Sequence, residues 1–420
     1  MNYSECVAYM QNMSKFGTVL GLDTIKTLLE RLDNPQKGLK CVHVAGTNGK
    51  GSVCAYLTKI LTLAGYKVGT FNSPAVFSYN ERFLINGKAV SDEIVTKYIN
   101  HVAQEREIME KQGSKTLPTS FEIEVAAAFC MFKEEGCDIA IMETGMGGRL
   151  DATNVIDPED KLLSIITSIA FDHTEYLGTT LGEIAKEKFG IVTNTLITFE
   201  QNPEVMEVFN AAPKLILTKE AKMSIATLSG IAFTYRGHFY RLSMLGEHQI
   251  QNATLAIEAA KKLRWLGFNK ITKDVIQEGL YKTNWPGRLE KFKCNNKIVI
   301  LDGAHNPSGA RTLYNAIKLH CPNTKISYVF GAFKDKDING VLSAMKDLLS
   351  TMYIAKAPTD RGLDVDSLKT ICSKYSNNVI TNASIKQALE NALKDDSKVV
   401  VVFGSLSILS EALETIKENG

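Results

Sequence analysis

The chain alternates short β-branched apolar runs with longer stretches of helical spacing, and that alternation leaves little freedom in the fold. CVHVAG leads into a helical pattern from about residue 52 to 64, and KVGTFNS follows it. FEIEVAAAFCMFKEEG has helical spacing, DIAIMETG and LLSIITSIAFDH read as buried strands, and LGEIAKEKFGIV opens as a helix. Strands joined by helical crossovers lie parallel in a sheet covered on both faces. A second series starts near residue 297 with KIVILDGAH, KISYVFGAF, TMYIAKAP, NNVIT and KVVVVFGS. The polar, turn-rich NWPGRLEKFKCNN between the two series predicts a boundary near 294. The expected fold is α/β, with domains at 1–293 and 294–420. The first holds a mostly parallel sheet flanked by helices, and the second is a smaller α/β unit.

Such sheets gather functional groups at the carboxyl ends of their strands. The most telling end is Gly46-Thr47-Asn48-Gly49-Lys50-Gly51-Ser52, set between a strand and a helix. Only two residues separate the first two glycines, where the common phosphate loop has four. Three glycines still let backbone N–H groups converge on phosphate oxygens, and the following helix adds its positive end. Lys50 can neutralise phosphate charge, and the Ser52 hydroxyl suits Mg²⁺. Glu143 leaves its strand just before a glycine-rich stretch, where a carboxylate can ligate a hard cation. His173, beside Asp172, could equally be structural. By spacing alone, Lys186 and Lys188 would be solvated on a helix face. GEHQIQNATLAIEAA and LDGAHNPSGA place Gly246, His248, Gln249, Asn252, Asp302, His305 and Asn306 near helix starts, where they could be caps or site residues.

The remaining composition narrows the class. Among 420 residues a net charge of +2 gives no support to a nucleic-acid or membrane partner. The eight cysteines form no C-x-x-C pair, which favours free thiols in a reducing cytosol. No signal-peptide pattern or long apolar span is visible, so a cytoplasmic location is expected.

Taken in order, HVAGTNGKGS, SPAVFSYNERFLING, ETGMGGRLDATNVI, FDHTEYLG, EIAKEKFGI, GEHQIQNA, WPGRLE, LDGAHNP and GSL resemble folylpolyglutamate synthase and dihydrofolate synthase of the Mur-ligase superfamily. The resemblance implies a P-loop ATPase-type first domain and a Rossmann-like second one. It implies ATP on Gly46–Ser52 with Lys50 at the phosphates, and Asn252, Arg288 and Asp302 contacting the nucleotide. Two Mg²⁺ sites are implied, drawing on Ser52, Ser73, Glu143 and His173, with Lys188 carbamylated. Asp302 and His305 would face ATP and the incoming glutamate, Ser405 would lie near the glutamate, and Arg82 and Asp151 would serve the substrate. A monomer is expected.

The implied reaction is ATP-dependent ligation of L-glutamate to a folate, and also to 7,8-dihydropteroate, through an acyl phosphate. Arg149-Leu150-Asp151-Ala152-Thr153-Asn154 resembles the version found in enzymes that accept both substrates. Ser73-Pro74-Ala75-Val76 departs from the family's usual SPHL, which keeps a folate-only synthase as the alternative. Another Mur-type amide ligase is more remote, because it would lack RLDATN. A phosphate-loop switch protein would not need Asp302 and His305.

Overall fold

The computed structural model describes residues 1–14 and 21–419. By contacts the chain forms two compact units, Met1–Ala221 with Gln251–Thr283, and Lys222–Ile250 with Asn284–Gly420. The sequence predicts one linear boundary near 294. The structure divides after 283 and gives Lys222–Ile250 to the second unit, where the strand Lys222–Thr227 packs against the helix Pro307–His320.

The first unit is built on an eight-stranded sheet. Its strands are β1 (Cys41–Ala45), β2 (Val68–Phe71), β3 (Phe83–Ile85), β4 (Lys88–Ala89), β5 (Ile139–Glu143), β6 (Lys161–Ile166), β7 (Thr195–Thr198) and β8 (Lys214–Leu217). Their order is β4-β3-β2-β5-β1-β6-β7-β8, with β3 alone reversed, antiparallel to both β2 and β4, and every other pair parallel. Every residue of β1, β2 and β5 is buried, as a sheet covered on both faces requires. Ala140 and Met142 face a core formed with the helices Asp23–Arg31, Asp92–Lys111 and Ser120–Glu134. The helix Lys50–Leu63 packs on β1, β2 and β5, and against the helix Lys273–Lys282.

Two helices are started by capping boxes, in which a threonine side chain and a glutamate three residues on satisfy each other's backbone N–H groups. Thr119 with Glu122 starts Ser120–Glu134, and Thr180 with Glu183 starts Leu181–Phe189, which carries Lys188.

The second unit holds an antiparallel sheet of β9 (Lys222–Thr227), β10 (Gly230–Tyr235) and β11 (His238–Leu242). It also holds a six-stranded sheet of β12 (Glu290–Cys294), β13 (Lys297–Leu301), β14 (Ile326–Phe330), β15 (Thr351–Ile354), β16 (Asn378–Thr381) and β17 (Val399–Phe403). The order there is β12-β13-β17-β14-β15-β16, and only β12 runs antiparallel. Val399–Phe403 is wholly buried at the centre of this sheet. Among the described residues no helix is long and apolar enough to cross a membrane.

Candidate active site

Adjacent strands β2, β5, β1 and β6 deliver their carboxyl ends side by side. Ser73, Glu143, the 46–52 loop and the segment 167–173 therefore share one rim of the first unit.

The loop is held to the end of β6. Thr47 N donates to Ser168 O at 2.7 Å, the Ser168 hydroxyl donates to Asn48 O at 3.1 Å, and the Thr47 hydroxyl donates to Ala170 O at 3.1 Å. Gly46 has φ +146°, and a Cβ there would lie 1.7 Å from Thr167 Oγ1. Gly49 has φ +92°, and its Cβ would lie 2.5 Å from Asn252 Oδ1. Among the described residues no side chain caps the helix that begins at Lys50, and the positive end of a helix favours an anion. The structure thus brings Asn252 directly against the loop.

Lys50 and Lys188 converge on one atom, each Nζ donating to Gly46 O at 3.0 Å. Lys186 is exposed, whereas Lys188 is buried. Burial, reinforced by the nearby Lys50 charge, lowers the Lys188 amine to about 7. Glu143 is buried, and one of its carboxylate oxygens accepts from Ser73 N at 3.4 Å. Its charge also reaches the helix after the loop, where it adds to burial in raising the Cys54 thiol. Ser52 is buried in that same helix's first turn. His173 is exposed, with φ +49°, and its Nε2 lies 3.9 Å from Asp172 Oδ1.

Arg82 is held by a carboxylate that spacing did not flag. Its Nη1 lies 2.9 Å from Oε2 of buried Glu124, whose Oε1 accepts from Tyr79 OH at 3.0 Å. A glutamate inside the apolar FEIEVAAAF was the available signal, since a buried charge needs a partner. Glu81 shapes the preceding turn by accepting from Val76 N and Phe77 N, at 2.9 and 3.0 Å.

Asp151 and Asp302 are buried and form matching turns. Asp151 Oδ1 accepts from Thr153 N at 3.0 Å, and Asp302 Oδ1 accepts from Ala304 N at 2.9 Å. The second oxygens accept from Met146 N at 2.8 Å and Leu289 N at 2.9 Å respectively. Burial is the main influence on both carboxyls and raises them above the usual range. His305 Nδ1 lies 2.8 Å from Gly303 O, a carbonyl that can only accept, so Nδ1 carries the proton. In the neutral ring Nε2 is then the basic nitrogen. Arg288 is half-buried, and its charge opposes the rise at Asp302 and adds to desolvation in lowering half-buried His248. Ser405 is buried, 3.0 Å from the Ser407 hydroxyl, and accepts from Ser407 N at the start of the last helix.

The chain as a whole is similar to known proteins. Residues 44–260 match the Mur ligase middle domain, and residues 287–406 match the Mur ligase, glutamate ligase domain. The dihydrofolate synthase/folylpolyglutamate synthase of Bacillus subtilis is 35% identical over 437 residues, covering 99% of each chain. The Escherichia coli protein of the same name is 30% identical over 98% of this chain and 94% of its own. The crystal structure of Thermotoga maritima folylpolyglutamate synthase has a TM-score of 0.87 at 31% identity, covering 100% of this chain and 97% of that one. The E. coli FolC structure in complex with DHPP and ADP has a TM-score of 0.84 at 29% identity over 98% of each. The chain belongs to the dihydrofolate synthase/folylpolyglutamate synthase family of Mur ligases.

Proposed function

We propose that this protein uses ATP to couple L-glutamate to the free carboxylate of a folate-type substrate. It extends tetrahydrofolate and converts 7,8-dihydropteroate to dihydrofolate, acting as a cytoplasmic monomer. The observation that carries this reading is the pair of lysines, Lys50 and Lys188, drawn to the carbonyl of Gly46 in a glycine loop whose helix start is uncapped. The Lys50 ammonium beside a glycine loop and a helix N-terminus suits a triphosphate. The E. coli and Mycobacterium tuberculosis relatives, solved with ADP or AMPPCP, support the same assignment.

The donor set at the rim is oxygen-rich, with a buried carboxylate at Glu143 and hydroxyls at Ser52 and Ser73, and this chemistry fits Mg²⁺. Those groups and His173 would hold it. When bound, Mg²⁺ supplies charge neutralisation of the triphosphate.

In the reaction a substrate carboxylate oxygen attacks the γ-phosphorus, and the bond to the β,γ-bridging oxygen breaks to release ADP. Lys50 stabilises the phosphoryl oxygens during that transfer. The glutamate amine then attacks the acyl carbon, and the tetrahedral intermediate expels phosphate to leave the amide. The amine proton must go to a base. His305 suits this better than Asp302, whose two oxygens already accept backbone N–H groups. Arg288 would reach the phosphates, with Arg82 and Ser405 toward the substrate and the glutamate. Asp151 would act toward the substrate through the loop it fixes.

An amine lowered to about 7 is half neutral at physiological pH, and only the neutral form attacks CO₂. We therefore place a carbamate on Lys188. At fixed dissolved CO₂, its rate of formation should rise as pH passes through 7 and level off above, read by carbon-13 NMR with labelled CO₂. A Lys188→Arg variant should give no such signal. An unmodified Lys188 across that range would remove the carbamate from the mechanism.

Phosphate release with purified protein, ATP and Mg²⁺ tests the function, run with 7,8-dihydropteroate and with tetrahydrofolate. We expect glutamate-dependent release with both. Release with tetrahydrofolate alone would favour the folate-only synthase, and Ala75-Val76 is the observation that keeps that reading open.

A further inference from the structure

A buried hydrogen-bonded chain runs under the loop that follows Glu143. Thr153 donates to Asp151 Oδ1 from both its N–H, at 3.0 Å, and its hydroxyl, at 2.5 Å. Thr153 has one hydroxyl proton and gives it to Asp151. The 2.8 Å contact between Thr153 Oγ1 and Nε2 of His43 therefore requires the ring to donate. His43, fully buried in β1, is thus neutral with its proton on Nε2. Burial, reinforced by the charge of Lys161, keeps the ring well below the usual histidine range.

This tautomer leaves Nδ1 buried with no hydrogen-bond partner among the described residues. A stranded acceptor costs stability, so packing alone does not account for a histidine here. The other side of the loop is clamped as well. Arg149 N donates to Glu187 O at 2.7 Å, and a Cβ on Gly148 would come within 2.8 Å of Glu187 O and 2.9 Å of Lys188 O. The segment from Thr144 to Thr153 is therefore fixed between His43 and the backbone that carries Lys188, with Glu143 immediately before it.

We propose that His43 is a positioning residue for the ligation. By donating from Nε2 to Thr153 it fixes the loop centred on Asp151, and through that loop the placement of Glu143 and Lys188 against the reacting carboxylate. This role rests on the ligase reading given above.

Three variants test it: His43→Leu, which removes the donor, His43→Gln, which keeps an N–H near the same place, and Thr153→Val. We expect His43→Leu to lower kcat/KM for the folate-type substrate roughly tenfold or more, as the loss of a group that orients a ligand does. Nucleotide Kd, measured without that substrate, and Tm should stay near wild type. His43→Gln should recover much of the loss, and His43→Leu with Thr153→Val should lose little more than either alone, because both break one hydrogen bond. Wild-type kcat/KM in His43→Leu would overturn the role. So would a parallel fall of nucleotide affinity and Tm, which would make His43 a general packing residue. A wild-type protein with no glutamate-dependent turnover would overturn the ligase reading and this role with it, a result distinct from an active enzyme that tolerates His43→Leu.

Discussion

Replacing Lys50 with alanine should lower kcat/KM for ligation by ~10²–10³-fold, the scale seen when one preorganised donor to a developing oxyanion is removed. The side chain sits in the first turn of the helix Lys50–Leu63 and folds back on its own loop, donating to Gly46 O at 3.0 Å and Thr47 O at 3.4 Å. Alanine is a good helix former, so the helix survives and the change in Tm should be small. Lys188 cannot take over, because its amine, lowered to about 7, carries only part of a charge at neutral pH. The loss should appear in turnover and in nucleotide affinity together. Near-normal turnover in Lys50→Ala would remove the 46–52 loop from the phosphate site.

Gly46→Ala should be worse for the fold than for any single contact. The backbone at φ +146° disfavours any side chain, and the new methyl would overlap Thr167, with Oγ1 at 1.7 Å and Cβ at 2.9 Å. Backbone strain of about 1–3 kcal/mol and overpacking of a similar size add to ~2–6 kcal/mol. Against a typical stability of about 5–15 kcal/mol this is a severe loss. The chain can escape only by lifting the loop off β6, which breaks the bonds of Thr47 and Asn48 to Ser168. Thermal melts should show a large fall in Tm, or nucleotide binding should vanish in a protein that still folds. Adding Thr167→Gly should recover part of the loss by removing the overlap, with the φ cost remaining. Wild-type Tm and nucleotide affinity in Gly46→Ala would contradict the described loop geometry.

Both predictions lie where the sequence was most legible. The order of strand, glycine loop and helix follows from local chemistry, and the parallel arrangement follows from the crossovers. The helix expected from about 52 begins at Lys50, because Gly49 supplies the positive φ that turns the chain into it. Lys188 is a different case. Spacing suggested a solvated lysine, yet Lys188 stands four residues after buried Ile184 and three before buried Ile191, which puts it on the apolar face.

The antiparallel strands β9 to β11 have one local mark in the sequence, Arg236-Gly237, both at positive φ, which forms a two-residue hairpin turn between β10 and β11. Their membership in the second unit had no linear signal at all. The buried partnerships Glu124–Arg82 and His43–Thr153–Asp151 were equally hidden. They join residues far apart in sequence, and nothing in local spacing marks a polar side chain that will meet its partner only in the folded core.

The measurement that tests the central claim most directly follows oxygen rather than rate. Dihydropteroate or tetrahydrofolate labelled with oxygen-18 in its carboxylate is turned over with ATP, Mg²⁺ and glutamate, and the released phosphate is analysed by mass. If the carboxylate attacks the γ-phosphate and the amine later displaces that phosphate, each phosphate carries one labelled oxygen, and label and amide appear in equal amounts only when glutamate is present. Unlabelled phosphate, released equally with and without glutamate, would mean that water is the acceptor and that this chain hydrolyses ATP without joining the two substrates.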